Sequence, residues 1–316
     1  MIAFGWLAWL LAAFGPAGAE ARLAPVAGWP ALPAVGWSFT MVSNISGDSR
    51  GRIYVASRGD HPITIFERDG RFAGTMGDAD IRPSTNYDLT VSPPRPISVK
   101  RWVHGIFVDS TDNVWVTDLG RHVVMKFSPR GKLLLTLGTL DKPGESPTNF
   151  NQPSSVAVAP TGEVYVADGY GNSRVAKFAS DGKFVRAWGK KGSGPGEFNT
   201  PHALALDGRG RVYVAERLNN RVSVFDSDGK FLAQWTGLDH ADAIFIHNGR
   251  AYVGTGSDKR LVRFDLDGRN AVDVAPPGNF GYTHGIYLDR AGDLYVADPI
   301  ADDAHKPPTK FALSGR

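Results

Sequence analysis

The sequence predicts an all-β fold, a six-bladed β-propeller whose ring is closed by an N-terminal strand. A pattern of Gly or Asp, any residue, apolar, aromatic, Val and small recurs six times. It reads GRIYVAS (51–57), DNVWVTD (112–118), GEVYVAD (162–168), GRVYVAE (210–216), GRAYVGT (249–255) and GDLYVAD (292–298). Its aromatic anchors, Tyr54, Trp115, Tyr165, Tyr213, Tyr252 and Tyr295, are spaced by 61, 50, 48, 39 and 43 residues. Short alternating strands in units of this size are the signature of propeller blades, and no helical periodicity interrupts them.

Each anchor strand is followed by a strand ending in Phe: Phe66, Phe127, Phe178, Phe225, Phe264 and Phe311. Turns such as ERDGRF (67–72) and ASDGKF (179–184) then follow, with the Asp-Gly pairs that tight hairpins require. The sixth repeat runs almost to the C-terminus, so its outer strand is expected from the segment 25–42. Closing the ring removes the free sheet edges that an open array would expose.

Length and composition bound the function. The chain has 316 residues, no cysteine and a net charge of +3. Thiol catalysis, disulfide scaffolds and Cys-based metal sites are excluded. Scattered Lys and Arg at this net charge give no case for nucleic acid. Residues 2–14, IAFGWLAWLLAAF, form an uncharged apolar run followed by Ala17-Gly18-Ala19, a small-x-small cleavage site. The expected organisation is a signal peptide over 1–19 and a propeller domain over 20–316, exported to the periplasm or the extracellular space. After cleavage no membrane contact is expected; a retained segment would instead act as an anchor.

The inner strand of each blade begins before the anchor, and its slot eleven residues earlier holds Ser43, His104, Ser154, His202 and His284 in blades one, two, three, four and six. In blade five, where the turn is one residue shorter, the slot is Asp242. Histidine therefore occupies alternate blades, 120° apart, on the strands that line the channel. Three neutral imidazole nitrogens with an open fourth position form a catalytic zinc arrangement. The remaining histidines, His61, His122, His240, His247 and His305, share no register and read as structural or surface residues.

Arg58 and Arg217 each follow their anchor by four residues and Tyr170 follows its own by five, which puts all three at one rim of the channel. An Arg pair at a metal mouth suits a carboxylate, and a Tyr beside Arg is a candidate base. Arg174 and Arg221 recur in the repeat (GNSRV, NNRV) and read as blade-stabilising.

These segments resemble NHL repeats. They are similar in order and detail to peptidyl-α-hydroxyglycine α-amidating lyase, also called peptidylamidoglycolate lyase. The likeness runs through SRGDH (57–61), VHGIFVDSTDNVWVTD (103–118), NQPSSVAVAPTGEVYVADGYGNSRV (151–175), GPGEFNTPHALAL (194–206), YVAERLNNRV (213–222) and THGIYLDRAGDLYVAD (283–298). It covers most of residues 40–298.

The resemblance implies that His104, His202 and His284 bind a catalytic zinc and that Arg58, Tyr170 and Arg217 act on the substrate. It implies cleavage of the N–Cα bond of an N-acyl- or peptidyl-α-hydroxyglycine to a primary amide and glyoxylate. A separate hydroxylating enzyme would supply that substrate. The family also carries a calcium held by two backbone carbonyls, matching Ile45 and Ile106, and by an Asp directly after the third zinc His. That position is Gly285 here, so a calcium would need another ligand. Two other readings stand beside this one: a non-catalytic NHL propeller that binds a protein or peptide, and a metal-dependent propeller hydrolase of the lactonase type. Lactonase-type sites are usually richer in carboxylates and calcium.

Overall fold

A computed structural model of the chain describes residues 23–33, 37, 39–88, 90–276, 278–299 and 306–313. The expected signal peptide and His305 lie outside them. Six four-stranded antiparallel sheets form the ring of a six-bladed propeller. Their inner strands are Val42–Gly47, Val103–Val108, Ser155–Val158, Pro201–Leu206, Ala241–His247 and Gly285–Leu288. Among the described residues there is no helix, and so none long and apolar enough to cross a membrane.

The repeat motif explains both the hairpins and the core. Each blade is stacked between two others, so its second strand is buried on both faces and reads as a continuous apolar run. Tyr54, Trp115, Tyr165, Tyr213 and Tyr295 are at most 2% exposed. A buried aromatic with a polar tip needs a partner for it. Tyr54, Trp115, Tyr213 and Tyr295 donate to the carboxylates of Asp48, Asp109, Asp207 and Asp289 at 3.2, 2.9, 3.1 and 3.2 Å. The same carboxylates close the preceding turn: Asp48 also accepts from the backbone N–H of Arg50 and Arg52. One Asp thus fixes the hairpin and satisfies the core aromatic.

The ring closes at its N-terminus, but not through the expected segment. The outer strand of the last blade is Leu23–Pro25, paired with Thr309–Leu313. Beyond Val26, whose N–H still donates to the Lys310 carbonyl at 2.8 Å, the chain leaves the sheet, consistent with Pro30 and Pro33, which donate no ladder hydrogen bond. It places Trp29 over the seam between the last and first blades, with ring centroids 5.1 Å from Tyr295 and 6.1 Å from Phe66. A second element went unread in the sequence. Between the first and second blades, Ser84–Asp88 and Arg95–Lys100 pair as an additional hairpin.

Arg174 and Arg221 stabilise blades as expected. Arg174 pairs with Asp168 at 2.9 Å and donates to the carbonyls of Ser146 and Asn149. Arg221 pairs with Glu216 at 2.8 Å and donates to the carbonyls of Ser193, Gly194 and Glu197. Both therefore hold the loop that leads into their blade. In the second blade Val123 takes the Arg position opposite Asp118. Asp118 is fully buried without a cation, its Oδ2 has no partner, and burial pushes its carboxyl up to about 7.

A carboxyl that titrates above its unfolded value weakens the fold where it is charged. The penalty is complete above about pH 7 and vanishes as the pH falls towards the unfolded pKa of about 3.9. Asp118→Asn is therefore expected to be more stable than wild type above pH 7, with the gap closing on acidification. Urea unfolding across this range reads the effect, and a gap independent of pH would contradict it.

Candidate metal centre

His104, His202 and His284 stand at the entrances of the inner strands of blades two, four and six. All three are at most 5% exposed. Each Nδ1 lies 2.6 Å from a backbone carbonyl of the next blade: His104 on Ser154, His202 on Asp242 and His284 on Ser43. These acceptors are the slot residues of the alternate blades. A carbonyl only accepts, so each Nδ1 carries the hydrogen and each Nε2 is left as a bare lone pair. The strands must approach closely for this to happen. A Cβ on Gly105 would stand 2.8 Å from the Ser154 carbonyl, and one on Gly285 2.7 Å from the Asn44 Cα.

The rings meet around one point, with centroids 4.7–4.8 Å apart and planes 65–89° to one another. Ligand atoms of the three all lie within 4.8 Å of each other. Burial first, then neighbouring positive charge, holds each imidazole well below its ordinary pKa, so the three are neutral. The His284 Nε2 finds no hydrogen-bond donor among the described residues. Three converging neutral lone pairs in a buried cup form a donor set that fits a borderline transition metal ion.

Tyr170 and Arg217 complete the cup. The Tyr170 hydroxyl lies 3.0 Å from His104 Nε2 and 2.9 Å from His202 Nε2. Arg217 Nη1 donates to the Tyr170 oxygen at 3.1 Å, and its Nη2 lies 2.8 Å from His202 Nε2. Its Nε donates to Asp242 Oδ1 at 2.5 Å. Burial lowers the pKa of Arg217, but the charges of Tyr170 and Asp242 outweigh it and hold the guanidinium above its ordinary value.

Arg58 lies at the same mouth, stacked 4.7 Å over the Trp102 ring, with its Nε donating to the Val103 carbonyl at 3.4 Å. Burial pulls it down to about 10. Its two Nη groups make no hydrogen bond among the described residues.

The six residues singled out from the sequence thus share one mouth. Two others at the site escaped the sequence reading. Asp242 had been noted only as a slot residue. It is fully buried, and it holds Arg217 through its carboxylate and His202 through its carbonyl. Tyr282 packs against Asp242 and Arg217, and burial pushes its phenol up, keeping it neutral. An aromatic two residues before His104 and His284, Trp102 and Tyr282, was the signal available.

Beneath the histidines the channel holds a small cavity of about 110 Å³. It is lined by Ile45, Ile106, Ala203, Ile244 and Ile286, with no carboxylate. The side chain that the resemblance calls for at position 285 would collide with Asn44, whose Oδ1 already accepts from the Ile45 N–H at 2.8 Å. The residues present do not fit the calcium site that the resemblance implies.

Fold and site together define a six-bladed propeller with three axial histidines that could hold a metal ion. The NHL-repeat profile matches residues 150–178 and 198–225. The chain is 35% identical over 312 residues to NHL repeat-containing protein 3 of Homo sapiens, covering 88% of this chain and 82% of that protein. It belongs to the NHL-repeat propeller family.

It is also 31% identical over 288 residues to the peptidyl-glycine alpha-amidating monooxygenase of Mus musculus, across 81% of this chain. It spans only 29% of that protein's length. Against peptidyl-alpha-hydroxyglycine alpha-amidating lyase 1 of Drosophila melanogaster it is 36% identical over 207 residues, 61% of this chain and 37% of the relative. The solved structure of a streptogramin B lyase superposes with a TM-score of 0.62 at 15% identity, over 89% of this chain and 96% of that one. At that identity the likeness is one of fold.

Calorimetric titration of the metal-stripped protein with zinc is expected to show one site per chain. His202→Ala is expected to weaken it about 100-fold or more. Undiminished affinity in that variant would place the metal elsewhere.

Proposed function

We propose that the chain is an exported zinc-dependent lyase that cleaves the N–Cα bond of N-acyl- or peptidyl-α-hydroxyglycine, releasing a primary amide and glyoxylate. The observation that carries this reading is the convergence of a base, a guanidinium and three bare imidazole nitrogens on one buried point. The Tyr170 oxygen sits within 3.0 Å of two of those nitrogens and 3.1 Å from Arg217. Likeness to the amidating enzymes supports it, as does the apolar N-terminal run for export.

His104, His202 and His284 would hold the zinc, which supplies Lewis acidity towards the substrate's α-hydroxyl oxygen. Arg58, whose two Nη groups make no hydrogen bond among the described residues, takes the substrate carboxylate as a fork. Tyr170 acts as the phenolate, its own proton lost to solvent beforehand; it accepts the hydroxyl proton of the substrate, and the hydrogen bond from Arg217 stabilises negative charge on its oxygen. As the proton leaves, the O–H electron pair becomes the C=O of glyoxylate. The N–Cα pair passes to the amide nitrogen, which takes up one proton, so the proton count balances. Asp242 keeps Arg217 aimed at Tyr170.

The test is glyoxylate release from benzoyl-α-hydroxyglycine by the purified protein, with metal content measured on the same sample. Release abolished by a chelator and restored by zinc is expected; zinc without release would sink the reaction assigned here. Tyr170→Phe is expected to lower kcat by about 100-fold or more with zinc content unchanged. Full activity in that variant would remove Tyr170 from the base role. Asp242→Asn keeps the carbonyl that orients His202 but loses the charge that holds Arg217. It is expected to lower kcat about 10- to 100-fold while zinc is retained and KM changes little. A KM effect alone would mean that Asp242 serves binding instead.

A further inference from the structure

Loops that join second to third strands, and loops that join blades, leave the sheets on the face that carries the three-histidine mouth. On this face, in the sector between Arg58 of the first blade and Tyr170 of the third, lies an open cavity of about 520 Å³. That is the size of a small-molecule site. Its walls include Tyr87 and Pro94 of the additional hairpin, Gly120 and His122 of the second blade, and Pro143 and Gln152 of the following loop. Asp141 also lines it, already paired with Arg121 at 2.9 and 2.7 Å.

The cavity adjoins the reacting groups on two sides. The Gln152 carbonyl accepts the Tyr170 N–H at 3.3 Å. Next to Gly120, the Leu119 N–H donates to the carbonyl of Trp102, whose ring carries Arg58. Its roof is anchored by buried polar contacts. Gln152 Nε2 donates to Asn86 Oδ1 at 2.6 Å and to the Tyr87 carbonyl at 3.2 Å, and Trp102 Nε1 donates to the Ser84 carbonyl at 3.1 Å.

His122 supplies a polar point in the cavity wall, beside the Ser84 hydroxyl, which has no hydrogen-bond partner among the described residues. It is held at φ 61°, a conformation uncommon for a residue with a Cβ and costly unless its surroundings impose it. Its Nδ1 accepts the Gln152 N–H at 3.1 Å, so the ring hydrogen sits on Nε2. That N–H makes no hydrogen bond among the described residues. Burial lowers its pKa and keeps the ring neutral.

We propose that this cavity receives the acyl or peptidyl part of the substrate, the R–CO end of R–CO–NH–CH(OH)–COO⁻. An aromatic or apolar R packs on the Tyr87 ring and the two prolines, and the His122 Nε2–H donates to a carbonyl oxygen of that part. This rests on the lyase reading above and assigns the determinant of substrate size to a hairpin outside the repeat.

The experiment compares kcat/KM for benzoyl- and acetyl-α-hydroxyglycine in wild type, Thr85→Trp and Tyr87→Ala. Thr85 also lines the cavity, so the indole fills it. Thr85→Trp is expected to lower kcat/KM for the benzoyl substrate about 10-fold or more and to leave the acetyl substrate within about 2-fold. Tyr87→Ala, on the exposed hairpin, is expected to reduce the benzoyl preference about 3- to 10-fold. Turnover of the acetyl substrate serves as the check that each variant is folded, and Tyr87→Ala carries the test if Thr85→Trp fails it. A benzoyl-to-acetyl ratio unchanged in the folded variants would overturn the cavity assignment alone. Absence of glyoxylate from either substrate with wild type would overturn the lyase reading, and the cavity assignment with it.

Discussion

The centre depends on three hydrogen bonds of 2.6 Å, each from a histidine Nδ1 to a carbonyl of the following blade. They choose the tautomer, aim the Nε2 lone pairs at the axis and join inner strands that share no ladder. They also demand small residues behind the rings, which is why Gly105 and Gly285 sit where any Cβ would strike the neighbouring strand. As the strands pack around His284, a Cβ at position 285 would meet Asn44.

Charge at the mouth is unbalanced on purpose. Arg58 and Arg217 face three imidazoles that burial already keeps neutral, and Asp242 is the buried carboxylate set against them. It is engaged by Arg217, so the outer half of the cup stays positive. Such a site attracts an anion and disfavours protonation of the three imidazoles, because added positive charge would lie close to Arg217 and, at His104 and His284, to Arg58 as well.

Most of the ring was legible because each blade repeats one physical solution: an aromatic anchor, a turn Asp beneath it and a Phe-ended third strand. The alternation of histidine was legible for the same reason, since a fixed register on equivalent strands converts spacing into convergence. The closing strand was misplaced because three residues, Leu23–Pro25, carry too little pattern to be read. The additional hairpin has no counterpart in other blades to compare it with. The second role of Asp242 lies in its side chain reaching Arg217, 25 residues away in sequence, and spacing along one strand does not reveal that contact.

The last of the three histidine bonds runs from His284 to Ser43, across 241 residues and across the seam where the ring is joined. The centre therefore does not exist in any partial stack of blades, because its third nitrogen is aimed only when the two ends of the chain have met. A metal ion held there would bind the closed ring alone and, by mass action, would draw the whole population towards it. It would act as a clasp on the circle, and metal supply and the integrity of the fold would become a single equilibrium.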